Sequence, residues 1–148
     1  MVKIQIIPFL SAVGLDLGIY RDEVHRKIGK PDNVFGKVEY YQQDLAFSVH
    51  YDQEDNVEYI EVSKPDTAVT ILLEGIDIFN TPVSELIVLI EGKTLKQFNR
   101  TEPEIPYSYI FPELELSFWR PTLPEHDLDE DGKYFETVGV GVKGYYSS

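Results

Sequence analysis

Hydrophobic positions along the chain change their period twice, and each change marks a short helix giving way to strands. The first helix is predicted from about Arg21 to Ile28, with Val24 and Ile28 on its apolar edge. Asp22 and Glu23 fall in the opening turn and Arg26 and Lys27 in the last, where the helix dipole favours those signs. Gly29 is expected to take the left-handed closing position, and Pro31 forbids continuation. A second helix is predicted with Thr81 as N-cap, Pro82 as its first residue and Gly92 as its end. Val83, Leu86, Ile87 and Ile90 form its apolar face, which Val88 and Leu89 widen.

After each helix the period becomes two. Leu45, Phe47, Val49 and Tyr51 alternate with smaller or polar residues, and a polar turn over 52–56 leads into the strand 57–62. Residues 38–41 predict a third strand there; 107–111, 114–119 and 134–142 predict strands after the second helix. Residues 2–7 and 67–73 are expected as strands leading into the two helices. The Val-Gly-Val-Gly-Val run at 138–142 puts glycines on one strand face, which leaves room for an aromatic ring or a close backbone.

The two halves echo each other. Gly14-Leu15-Asp16-Leu17 is answered 61 residues later by Gly75-Ile76-Asp77-Ile78, and Glu23-Val24 with Ile28 by Glu85-Leu86 with Ile90. The expected architecture is therefore α+β: a single domain, 1–148, of two diverged helix-then-antiparallel-strand repeats, 1–66 and 67–148, with short helices packed on the sheet.

The stretch Leu17-Gly18-Ile19-Tyr20-Arg21-Asp22-Glu23-Val24-His25-Arg26-Lys27-Ile28-Gly29-Lys30-Pro31 resembles the helical segment of SmpA-like outer-membrane assembly lipoproteins and of the tandem-repeat β-lactamase inhibitor proteins. It is similar also to small cytosolic proteins of Gram-positive bacteria, some associated with toxin–immunity loci. Tyr20 stands where that pattern has a Ser or Thr cap. The resemblance implies a helix followed by a small antiparallel sheet, and binding through a sheet face.

Charge sharpens the functional expectation. The net charge is −13, and twenty of the 26 acidic residues but only seven of the 13 basic ones lie beyond residue 50. Phosphate recognition needs Lys and Arg, so nucleic acid is not an expected partner; an acidic field steers basic partners instead. With no cysteine, disulfides, thiolate metal sites and a cysteine nucleophile are excluded. The start of the sequence lacks the apolar core and cleavage site of a signal peptide, and no run approaches the roughly 20 apolar residues of a membrane span, so a cytoplasmic protein without a membrane partner is expected.

Nucleophile-elbow, phosphate-loop and His-Glu-x-x-His patterns are missing, so the expectation is a non-catalytic module without a cofactor. Asp127-Leu128-Asp129-Glu130-Asp131-Gly132 opens like a calcium loop, but Val138 stands where a bidentate Glu is needed, and the run reads as a solvated hairpin loop. His25, His50 and His126 have no metal-ligand spacing and read as surface residues. The candidate contact surface sets Glu113, Glu115 and Trp119 on the polar side of one strand, extended by Tyr107 and Tyr109 and by the acidic loop with Asp127, Asp129 and Asp131. Trp119 has two readings, an exposed anchor or a core residue covered by the loop 121–132. The expected function is an immunity-type inhibitor of a basic toxin or nuclease; a homodimer joined through the sheet, and a ligand binder or enzyme with a helix–sheet pocket, are the alternatives.

Overall fold

Both predicted helices are present in the computed structural model, which describes residues 2–66 and 69–146. In chain order the elements are β1 (Val2–Gln5), β2 (Ser11–Ala12), β3 (Leu15–Asp16), α1 (Arg21–Ile28), β4 (Asn33–Phe35), β5 (Val38–Gln42), β6 (Ala46–Tyr51) and β7 (Val57–Ser63). They continue with β8 (Val69–Leu73), β9 (Ile76–Asp77), α2 (Val83–Thr94), β10 (Ser108–Phe111), β11 (Leu116–Trp119) and β12 (Thr137–Gly141). The fold is α+β. Thr67 and Ala68, where the strand before the second helix was expected to begin, lie outside the described residues.

One continuous antiparallel sheet of seven strands, in the order β10-β11-β12-β7-β6-β5-β4, takes strands from both halves of the chain. Its seam is the β12–β7 pair, where Val138 faces Val62 and Val140 faces Ile60. The first strands of the halves, β1 and β8, pair parallel in a separate three-stranded sheet with β9, a departure from the antiparallel expectation. Two tight hairpins turn at Val13-Gly14 and Glu74-Gly75, and both residues of each turn have positive φ. That is the two-residue turn whose twist matches a hairpin, and it needs glycine at its second position.

Alternation decides what each strand buries. Phe47, Val62, Val138 and Phe118 line one row of the large sheet's inner face, and Val49, Ile60, Val140 and Leu116 the next. Val24 of α1 and Val83, Leu86, Ile87 and Ile90 of α2 join the same buried cluster. Each fully buried Leu, Ile, Val or Phe contributes about 1.5–3 kcal/mol of transfer free energy, which is what holds short helices against the sheet.

Both ends of α2 differ from expectation. Thr81 does not cap α2; its hydroxyl donates to the Asp77 carbonyl at 2.5 Å, and Pro82 takes the cap position. Gly92 lies inside α2, which runs to Thr94 and stops at Leu95 in the left-handed region. Burial of Ile90 on the core side outweighs the helix-breaking tendency of one glycine, about 1 kcal/mol. At α1, Tyr20 makes no side-chain cap, and backbone bonds dock the helix instead: the Arg21 amide donates to the Asp55 carbonyl at 2.9 Å and the Val57 amide to Ile19 at 2.9 Å.

Candidate binding face

A carboxylate under α1 fixes that helix. Glu39, on the inner face of β5, is 1% exposed. Its oxygens accept from Arg21 Nε at 2.9 Å and Tyr51 Oη at 2.8 Å, and His25 Nε2 lies 2.8 Å away. Burial pushes this carboxyl's pKa up, but the bonds from His25, Tyr51 and Arg21 together bring it below the ordinary value. His25 is therefore a partner of a buried charge, not a free surface histidine. His50 is also not free: it stacks edge-on against Tyr59, its ring lies 2.9 Å from Ser48 Oγ, and burial lowers its pKa. This network is satisfied and enclosed, which suits an anchor.

The outer face of the large sheet has a different character. Register puts Ile110, Ser117, Gly139, Glu61, Ser48 and Tyr40 in one row across six strands, and Ser108, Trp119, Thr137 and Ser63 in the next. Neither helix covers these rows. The segment 143–146 folds over a third row: Tyr145 stacks on Tyr59 at 4.8 Å between centroids, and Tyr146 Oη donates to Ser117 Oγ at 2.9 Å. Tyr59 Oη lies 3.0 Å from the same Ser117 oxygen.

The glycines of β12 make this packing feasible. A Cβ on Gly139 would overlap the Tyr59 hydroxyl, and one on Gly141 would lie 2.7 Å from Tyr145 Cβ. The room left by the Val-Gly alternation is thus filled by tyrosine rings.

Glu61 sits centrally on the face, between two shallow cavities of about 440 and 420 Å³. The first is walled by Trp119, Ser117, Thr137 and Tyr146, and its charged lining residues are Glu61 and Glu102. The second carries Tyr40, Ser48, Lys64 and Asp66. Burial raises the Glu61 pKa, and hydrogen bonding toward Tyr59 opposes only part of the rise. Among the described residues Glu61 makes no ion pair; Lys64 is held instead over the Tyr134 ring at 4.8 Å.

A carboxyl whose pKa is raised on folding stabilises the fold while it is protonated, and the contribution is lost as pH rises through its folded-state value. Glu61→Gln is expected to be more stable than the parent at neutral pH, with the gain vanishing in acid below the ordinary carboxylate range. Urea midpoints across that pH range check it; equal midpoints for both proteins at neutral pH would refute it.

The expected contact residues divide between two sides of the sheet. Trp119 is 43% exposed on the outer face, so the loop 121–132 does not cover it as a core residue. Glu115 is a correction: it is 2% exposed, lies before β11 begins with φ +54°, and its carboxylate accepts the amides of Gly144 and, at 2.9 Å, Tyr146. The alternation read through 114–119 starts only at Leu116, because residues 112–115 form a turn.

Tyr109 is another correction. It pairs with Phe118 on the inner face and packs against Phe98 and Phe135, so it cannot extend a Trp119 patch. Tyr107 is exposed but does not line the Trp119 cavity. Glu113 is exposed at a separate place, 3.9 Å from Lys96.

The acidic loop lies on the helix side as well, anchored by Arg120, whose Nη1 donates to the Gly132 carbonyl at 2.8 Å. Asp127 and Asp129 border a cavity of about 590 Å³ against the start of α2 and Tyr109. Asp129 accepts the amides of Glu125 and Asp131, which hold its pKa down, and Asp131 is exposed beside it. Those bonds close the loop on itself. Among the described residues no three or more His, Asp or Glu side chains converge as a metal site, and no helix is long and apolar enough to cross a membrane.

The geometry defines an α+β protein with a helix-covered inner sheet face and an open outer one. Among solved structures, a crystal structure of a DUF4309 family protein (YjgB) from Bacillus subtilis subsp. subtilis str. 168 matches 89% of this chain and 84% of its own length, with a TM-score of 0.52 at 15% identity. At that identity the likeness is one of fold. No protein-family model matches the chain, and no curated protein does.

Proposed function

We propose that this protein is a non-catalytic binding module that receives a basic protein on the outer face of its seven-stranded sheet, most concretely as an immunity-type inhibitor of a basic toxin or nuclease. The observation that carries the reading is the exposed Trp119 beside a cavity whose charged lining is entirely acidic. Large aromatics anchored in a polar rim dominate interface energetics, and an acidic field accelerates encounter with a basic surface. The net charge of −13 supplies that field. The contact surface in this reading is Trp119, Glu61 and their neighbours, with the acidic loop contributing only at long range.

We read the chain as two diverged repeats, 1–66 and 67–148, related to the SmpA-like and β-lactamase-inhibitor repeats. Three features support this: the matching turns at Gly14 and Gly75, the pairing of β1 with β8, and the pairing of β7 with β12.

The test is affinity capture from the source cells at low and then rising salt, with three baits: the parent, Trp119→Ala, and a loop variant carrying Asp127→Asn and Asp131→Asn. A basic protein retained in stoichiometric amount by the parent and the loop variant, but lost by Trp119→Ala, is the expected result. Retention by Trp119→Ala with loss by the loop variant would move the contact surface to the helix side and overturn the reading.

A second reading has its own observation. β4 is an edge strand with Val34 and Phe35 exposed, the kind of edge that pairs with another chain. Self-association through β4 predicts a concentration-dependent dimer by light scattering, abolished by Val34→Lys.

A further inference from the structure

The cavity between Trp119 and Glu61 has a shape and lining that select among cations. Trp119 and Glu61 stand on β11 and β7, separated by β12 and offset by two residues along the strands, so their backbones lie about 12 Å apart on a diagonal. Between them on β12 lie Thr137, in the Trp119 row, and Gly139, in the Glu61 row, where the Tyr59 hydroxyl occupies the place a Cβ would take. Tyr59 reaches over Gly139 toward Ser117, and Tyr146 closes the side nearest the C-terminal segment. What remains is a slot bordered by Trp119 and by the Glu61 carboxylate, with Ser108, Ser117 and Thr137 beside Ile110 along its floor.

From this we infer that the slot takes the guanidinium of an arginine side chain presented by the basic partner, stacked on Trp119 and paired with Glu61. This rests on the outer-face reading and names the group that the face recognises. Three arguments favour arginine. A planar guanidinium stacks on an indole face and pairs with a carboxylate in a two-pronged fork, whereas an ammonium is a compact and more strongly hydrated point charge. Glu61 is half-buried without a counter-ion among the described residues, so a cation entering the slot restores a partner to a charge already stripped of part of its water. Glu102, the second charged residue of the lining, excludes an anion from the same space.

The inner face offers no equivalent. Glu39 already has Arg21 and His25, so an incoming cation would find that carboxylate occupied.

Because Trp119 is the single tryptophan, its fluorescence reports the slot directly. The probe is N-acetyl-L-argininamide, with the lysine analogue and the neutral citrulline analogue as comparisons. The arginine probe is expected to give a saturable change with an affinity on the order of millimolar, ordinary for one side chain. The lysine analogue should bind several-fold more weakly, and citrulline should give no saturable change. Glu61→Gln, which keeps the side chain's shape, should weaken the arginine probe about tenfold or more, while a cooperative thermal transition at or above the parent's temperature shows that it still folds.

A flat titration with the arginine probe, an equal response to citrulline, or unaltered binding by Glu61→Gln would each overturn the inference. If the probe fails while a basic protein is still captured by the parent and lost by Trp119→Ala, the slot assignment falls and the outer-face reading stands. If the probe binds as expected but capture does not depend on Trp119, the slot is real and the outer-face reading falls.

Discussion

Replacing Glu39 with alanine is expected to destabilise the protein by about 3–5 kcal/mol, the range for removing one member of a buried, hydrogen-bonded ion pair. The loss is large because Arg21 would keep its charge beneath α1 without its main counter-ion, and Tyr51 would lose the acceptor at 2.8 Å. Domains of this size are stable by about 5–15 kcal/mol, so the variant would sit near the edge of folding.

The pH dependence has a definite sign. Glu39 has a folded-state pKa below its ordinary value, so its contribution is present above the ordinary carboxylate range and lost as pH falls through the folded-state value. Glu39→Gln should therefore unfold in urea well before the parent at neutral pH, with the two curves converging in acid. Unfolding free energies that differ by less than about 1 kcal/mol at neutral pH would mean that Arg21 finds other acceptors. Asp55, 3.2 Å from its Nη1, is the one already in place.

Dividing the chain between its halves is expected to abolish folding of both. In the intact protein β7 hydrogen-bonds β6 on one side and β12 on the other, and β1 has β8 as its partner. A fragment 1–66 would expose the seam side of Ile60 and Val62, and a fragment 67–148 would expose Val138 and Val140. Below about 70–80 residues one core rarely supplies more than a few kcal/mol, and here each half holds only part of a core. Isolated fragments should show no cooperative thermal transition and no near-ultraviolet dichroism, while the whole protein unfolds in one step. A cooperative transition in either fragment alone would show that the halves are independent units sharing a sheet by convenience.

Much of the fold was legible because it is local. The apolar spacing and charge order of 21–28 set α1 to its observed ends, and the apolar pattern over 45–51 and 57–62 placed β6 and β7 to within a residue. The short hairpins around Val13-Gly14 and Glu74-Gly75 were visible only as a repeated Gly-x-Asp-x phrase. Two-residue strands are too short to show a period. β4 was missed because all three of its residues are exposed and carry no burial pattern.

The candidate site was less legible. Trp119 was found from its polar-side position in β11, but Glu115 was misplaced by a turn that broke the alternation, and Tyr109 by the face it shares with Phe118. Glu61 carried a signal, a charged residue between Ile60 and Val62, yet nothing local distinguishes it from its acidic neighbours. Its significance depends on the β7–β12–β11 register, which brings it to one cavity with Trp119 from the far half of the chain.

The sequence by itself determined the α+β fold class, the existence of both helices, the polarity of the faces of β6 and β7 and the net acidic charge, because these depend on residue type and near-neighbour spacing. The tertiary structure alone decided that the halves share one sheet through β7 and β12, that Glu39 is an anchor while Glu61 lacks an ion-pair partner among the described residues, and that the acidic loop and Trp119 lie on opposite sides. The physical reason is register. Strand pairing fixes which distant residues become neighbours, and a shift of one residue would send every side chain of that strand to the other face.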